Sequence, residues 1–131
     1  MKIYSVVSGI IKKDNKYLVL RHNKCKGICV FPCGKIESGE LPSEAIKREL
    51  FEEIDIEVNK IRFLGTYNKY YNRVDGIMHV KEDLFFIDDY NGIPFNKEPN
   101  KHLEMKWITK EDVLFNPLDY STLVYEYMRG V

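Results

Sequence analysis

Ile46, Leu50 and Ile54 fall four residues apart in a stretch, Ser43 to Ile54, that has good helix formers and neither glycine nor proline. That spacing lines all three along one side of a helix and requires a core to receive them. Pro42 stands where the first helical turn accepts it, because that position needs no N–H donor. Glu49, Glu52 and Glu53 follow the i, i+3, i+4 spacing and share an arc of roughly 100° beside the apolar stripe. One edge of the helix is therefore buried, and the next is a cluster of carboxylates. Left alone, such a cluster costs about 0.2–0.5 kcal/mol per pair, and it sits in the half of the helix whose dipole disfavours anions. Lys47 and Arg48 offset part of this, with Arg48 in reach of Glu44 and Glu52 at i±4. A divalent cation offsets far more, and oxygen donors suit Mg2+ or Mn2+. On its own, in a chain that is 31% charged, the triplet reads more readily as a solvated face.

Around this helix the pattern is mostly strand. Ile3–Ile11 is rich in β-branched residues, and Tyr17–Leu20 follows it across the turn at Lys13-Asp14-Asn15-Lys16, so the two are expected to form a hairpin. His22–Ile28 reads as a loop. Ile56–Tyr71 and Ile77–Ile87 read as strands joined at Asn72–Gly76, and Asp88–Asn100 as a loop carrying Gly92, Pro94 and Pro99. Met105–Ile108 is a short strand. Thr109 is placed to cap a helix, and Asp119–Arg129 reads as a final helix capped by Asp119 or Ser121 and stopped by Gly130. Strands, helix, strands, helix is not the strict alternation of a parallel sheet. It predicts an α/β domain with a mixed sheet packed between helices.

A chain of 131 residues has room for one domain, taken as residues 1–131. Its 20 basic and 20 acidic residues cancel, so no basic field captures long nucleic acid, and an anionic ligand must be held by local groups or metal. No stretch approaches the ~20 apolar residues of a membrane span, and the apolar run in Met1–Ile11 is too short and interrupted for a secretory leader. The cysteines number three, Cys25, Cys29 and Cys33. An odd count without a leader favours reduced thiols and a cytoplasmic location. Their C-x3-C-x3-C spacing, even with His22 nearby, is not that of a zinc site.

The carboxylates gain their meaning from what precedes them. From Gly34 the chain reads GKIESGELPSEAIKRELFEEIDI: Gly34, Glu40 after five residues, Arg48-Glu49-Leu50 after seven more, then Glu52-Glu53 and Ile56. This resembles the Nudix box, G-x5-E-x7-R-E-U-x-E-E-x-G-U with U aliphatic, at every position but one, where Asp55 replaces the last glycine. At ordinary residue frequencies the six matched Gly, Glu and Arg positions arise by chance on the order of once in 10^7 start points. The resemblance continues outside the box: VVSGIIKKDNKYLVLRH is similar to the family's first hairpin, and HLEMKWITKEDV to its late strand and following helix, with Trp107 in a common place.

The resemblance implies a Nudix fold and a Mg2+-dependent (or Mn2+-dependent) pyrophosphohydrolase. Its substrate would be a nucleoside triphosphate or a related nucleoside-diphosphate derivative, in the manner of MutT-type members that remove oxidised nucleotides. By the same resemblance Glu49, Glu52 and Glu53 would be metal ligands, Arg48 would orient Glu49, Glu40 would shape the loop at the helix start, and Gly34 would permit a tight turn and close backbone approach. The carbonyl of Cys33 stands where the family often uses a carbonyl ligand. The general base would be Glu52 or Glu53, or a loop glutamate, here Glu98 in NKEPNKHLEMKW as ligand or base, with Glu104 as second choice. Arg21 and His22 are candidates to contact substrate, and Asn116 to read a base edge. Most of the strand aromatics, Tyr67, Tyr70, Tyr71, Phe85 and Phe86, are expected in the core.

Three departures from the pattern have physical consequences. Asp55 tolerates the left-handed conformation of a helix end better than most residues. Cys33 puts a thiol where a second glycine is usual. Leu41 takes the place of a capping Ser or Thr, which costs the helix start ~1 kcal/mol. The proline of ADP-ribose-type members, ~15 residues past the box by that resemblance, is absent, since none lies between Pro42 and Pro94. Two other readings stay open: a dinucleoside polyphosphate or nucleotide-sugar hydrolase, and a nucleotide-binding sensor without catalysis. The intact carboxylates speak against the sensor.

Overall fold

The computed structural model describes residues 1–24 and 27–131, so Cys25 lies outside the described residues. Strand β1 (Lys2–Ile10) joins β5 (Cys33–Lys35), β6 (Glu57–Arg73) and β7 (Gly76–Asn91) in a sheet ordered β5-β1-β7-β6. The β1–β7 pairing is parallel and the others antiparallel, so the sheet is mixed. A second sheet is built on β3 (Lys16–His22). Strand β8 (His102–Ile108) runs along β3 from Tyr17 to His22, while β2 (Lys12–Lys13) and β4 (Cys29–Val30) pair with its two ends. The expected hairpin is thus confined to Lys12–Lys13, turning at Asp14 in the left-handed region (φ 58°). The main strand β1 instead belongs to the other sheet, because its partner β7 lies far along the chain.

Helix α1 (Pro42–Ile54) buries Ala45, Ile46, Leu50 and Ile54 against Val7, Leu18, Leu20, Phe85 and Ile87. The opposite faces, Tyr17 and Val19 of β3 and Leu84 of β7, meet α2 (Lys110–Phe115) and α3 (Thr122–Arg129) through Val113, Leu123, Val124 and Met128. Alternate residues of one strand therefore serve two cores, which is why these strands read as continuous apolar runs. Helix α1 reaches β1 closely at Gly9, where an added Cβ would stand 3.2 Å from the Cδ1 atoms of Ile46 and Leu50.

The helix ends follow local chemistry. Thr109 caps α2, accepting from Asp112 N–H, and Ser121, not Asp119, caps α3. Asp119 lies instead in a 3-10 turn, Pro117–Asp119. Asp55 ends α1 in the left-handed region (φ 61°). Leu41 supplies no side-chain cap, but Glu44 Oε1 accepts from Leu41 N–H at 2.8 Å. Glu44 is thus occupied at the helix start and does not pair with Arg48 as its i−4 position allowed. The β6–β7 hairpin is longer than its apolar pattern, running to Arg73 and from Gly76 to Asn91, since backbone pairing continues past the buried part. Phe85 is buried, whereas Tyr67, Tyr70 and Tyr71 are exposed, so the aromatics of β6 are not core. Among the described residues no helix is long and apolar enough to cross a membrane.

Candidate active site

Arg48 organises the helix face. Its guanidinium donates to both carboxylate oxygens of Glu40 (2.7 and 2.9 Å), to Glu49 Oε1 (2.9 Å), to Glu52 Oε2 (3.3 Å) and to the Lys35 carbonyl (2.9 Å). A planar fork with several donors suits this task, and a lysine would not reproduce it. The partnership with Arg48, helped by the Glu37 N–H, holds the Glu40 carboxyl down at about 2. Glu40 thereby ties the box loop to the helix, and Arg48 fixes where Glu49 points.

Glu49 is inserted under the loop. A Cβ on Gly34 would fall 2.0 Å from Glu49 Cδ, so the glycine is required by the carboxylate lying against it. Gly34 is not among the glycines with positive φ, and close approach is the whole of its role here. Burial pushes the Glu49 carboxyl above its usual range, against the pull of Arg48. Glu53 is deeper still, at 1% exposure, and desolvation, then the charge of Glu49, raises it to about 8 despite a backbone hydrogen bond from Cys33. Glu52 stays on the exposed edge beside Arg48.

Glu98 comes to this cluster from the loop before β8. Ligand atoms of Glu53, Glu98 and His102 lie within 4.8 Å of one another. His102 was not singled out from the sequence. The available signal was its position four residues after Glu98, one helical turn on, which is a ligand spacing. Burial, followed by the nearby charges of His22 and Lys101, lowers His102 to about 4. Glu53 Oε1 is completely buried with no hydrogen-bond partner. An oxygen left this way is costly unless a cation meets it. The orphaned oxygen, the space kept for Glu49 by Gly34 and the density of carboxylates all fit a divalent metal.

Glu49 and Glu53, with Cys33 and Gly34, form one wall of a cleft of about 710 Å³. Ile28, Val30, Phe31 and Leu123 give it an apolar side, and Lys24, Lys35, Lys69 and Lys101 bring positive charge to its lining. His22 also faces this cleft. Arg21 does not: it is engaged by Asp119, Glu104 and the Gly27 carbonyl. Glu104 is thereby held away from the carboxylate cluster. Asn116 lines a separate cavity with Trp107 and Phe115, and its amide donates at 3.5 Å to the Asp112 carbonyl. The structure therefore gathers Glu49, Glu53, Cys33 and His22 at the cleft with Glu98 beside Glu53, and leaves Arg21 and Asn116 outside it.

Known proteins place this arrangement. The NUDIX domain model matches residues 3–127. An 8-oxo-dGTP diphosphatase of Buchnera aphidicola is 30% identical over 136 residues, covering 100% of this chain and 98% of that one. An ADP-ribose pyrophosphatase of Methanocaldococcus jannaschii is 31% identical over 125 residues, covering 94% and 72% of the two chains. The crystal structure of a MutT protein from Bacillus halodurans shares the fold, with a TM-score of 0.79 at 24% identity over 96% of this chain and 80% of that one. A box of carboxylates seated under a glycine, in a fold shared along almost the whole chain, leaves one conclusion: the protein belongs to the Nudix family, hydrolases of diphosphate linkages that work with a divalent metal.

Proposed function

We propose that the protein hydrolyses a nucleoside triphosphate or a closely related nucleotide, with Mg2+ or Mn2+, releasing a nucleoside monophosphate together with pyrophosphate or phosphate. The observation that carries this is the cleft itself, in which buried carboxylates, four lysines and an apolar side adjoin. That composition suits a ligand with a polyanionic end and a flat apolar end. The near full-length likeness to an 8-oxo-dGTP diphosphatase supports a MutT-type substrate, oxidised nucleotides included. The likeness to an ADP-ribose pyrophosphatase covers less of that relative, and the proline expected of that class is absent here.

In this reading Glu49, Glu52 and Glu53, with Glu98 and the Cys33 carbonyl, would hold the metal, which when bound would neutralise phosphate oxygens and acidify the attacking water. Arg48 fixes the direction of Glu49 and Glu52. The cleft lysines offset the charge of the phosphates, and His22 contacts them at the mouth. Phe31 and Leu123 hold the base. A carboxylate of Glu52, Glu53 or Glu98 accepts the proton of the water. A panel of nucleoside triphosphates, oxidised nucleotides, dinucleoside polyphosphates and nucleotide sugars, with Mg2+ or Mn2+ and separated products, tests the proposal. Glu52→Gln, at an exposed position, should keep the fold and nucleotide binding while turnover falls by ~10^3 or more. Unchanged turnover, or no diphosphate compound cleaved with either metal, would sink it.

A further inference from the structure

The loop before β8 is built to present two side chains together. His102 N–H donates to the Glu98 carbonyl at 2.9 Å, closing a single turn. Asn96 braces both ends of that turn: its Nδ2 donates to the His102 carbonyl (2.9 Å), and its Oδ1 accepts from Glu98 N–H (3.2 Å). Glu98 and His102 thus project from one rigid turn toward Glu53 on α1, with ligand atoms of all three within 4.8 Å.

A histidine at 2% exposure is ordinarily a core residue with both ring nitrogens satisfied. Here Nδ1 has no hydrogen-bond partner, and Nε2 stands 3.7 Å from Glu53 Oε2, beyond hydrogen-bond reach. Glu53 Oε1, in the same cluster, is buried and unpartnered as well. The surrounding charges do not answer this need. Lys101 pairs with Glu98 at 3.9 Å, and His22 meets the His102 ring edge-on at 5.4 Å, with its own Nδ1 accepting from Lys24 N–H.

We infer that His102 is a direct nitrogen ligand to a divalent metal shared with Glu53 and Glu98, and that it tilts the site toward Mn2+ or a later transition metal over Mg2+. The inference rests on the metal-site reading proposed above and deepens it. Imidazole is a borderline donor that favours transition ions, whereas carboxylates alone suit Mg2+. One nitrogen among oxygens therefore changes which ion the site prefers without changing its charge.

The test uses Mn2+ alone as the probe, with pulsed electron paramagnetic resonance on the full chain. Bound Mn2+ should show nitrogen coupling that changes when histidine is labelled with 15N, a comparison that needs no variant. His22→Gln should keep the coupling, and His102→Gln should lose it while still binding Mn2+. Competition between Mn2+ and Mg2+ should show the preference for Mn2+ falling ~10-fold in His102→Gln. Mn2+ that binds with no histidine coupling, in a manner weakened by Glu53→Gln, overturns nitrogen ligation and leaves the carboxylate site standing. Mn2+ binding indifferent to both Glu53→Gln and Glu98→Gln overturns the metal-site reading itself, and the inference with it.

Discussion

The carboxylate of Glu49 occupies the space that a side chain on Gly34 would take: an added Cβ would meet Glu49 Cδ at 2.0 Å and both oxygens at 2.3 Å. The Glu49 carboxylate can lie against the loop there only if residue 34 is glycine. Gly34→Ala should therefore displace Glu49 and lower kcat/KM by ~100-fold or more, since small misplacements at reacting groups cost that much. The accompanying destabilisation should be modest, about 1–3 kcal/mol of overpacking. Steady-state kinetics and urea unfolding on one preparation separate the two, and an alanine variant of normal activity would contradict the steric role.

Arg48 makes five hydrogen bonds to four residues in one plane of donors. Arg48→Lys keeps the charge and loses the fork. The expected loss in metal affinity or activity is about 10–100-fold, comparable to that of other groups that orient ligands. Arg48→Gln, which loses the charge as well as the fork, should be worse than Arg48→Lys by no more than a few-fold if geometry is the larger part of the role. A lysine variant that restores the wild-type rate would show that charge suffices.

The Glu40–Arg48 pair also sets a pH dependence. Glu40 sits at about 2 in the folded protein against 4.5 for the unperturbed group. The unfolded chain therefore takes up this proton first as the solution is acidified. The stabilisation is complete above pH 4.5 and is lost as pH falls from there toward 2. Urea midpoints measured through that window should fall less steeply for Glu40→Gln than for the unaltered protein. Parallel slopes would mean the pair does not favour the folded state.

Helix α1 begins without a side-chain cap at Leu41, which is 62% exposed and gives up little by replacement. Glu44 already accepts from the Leu41 N–H, so half of a capping box is in place. Leu41→Ser should complete it and stabilise the protein by about 1 kcal/mol. That corresponds to a Tm rise of about 2–6 °C for a domain of this size, read by calorimetry with activity unchanged.

Much of this molecule is written in short-range pattern. The spacing of Ile46, Leu50 and Ile54 marks the buried side of α1. The run from Gly34 through Glu40 to Glu53 identifies the family, because its members must sit on one loop and one helix. Asp55 ends its helix through a left-handed backbone and Thr109 begins the next through its hydroxyl, both chemistry local to the chain. Pairing was less accessible: β1 was expected beside β3, yet it lies parallel to β7, and nothing within either strand states that partner.

The sequence alone determined the carboxylate helix, because a helix converts spacing directly into direction. Only the tertiary structure decided what meets it. Glu98 and His102 arrive beside Glu53 through the β3–β8 pairing and a turn braced by Asn96, and no local pattern encodes that distance. Arg21 was a candidate from its place at a strand end and Asn116 from the family resemblance; long-range partners engage the first, and the second lines a different cavity. Gly34 carries both lessons: its place in the motif was legible, while the reason for it, the buried carboxylate of Glu49, appears only once loop and helix are packed together.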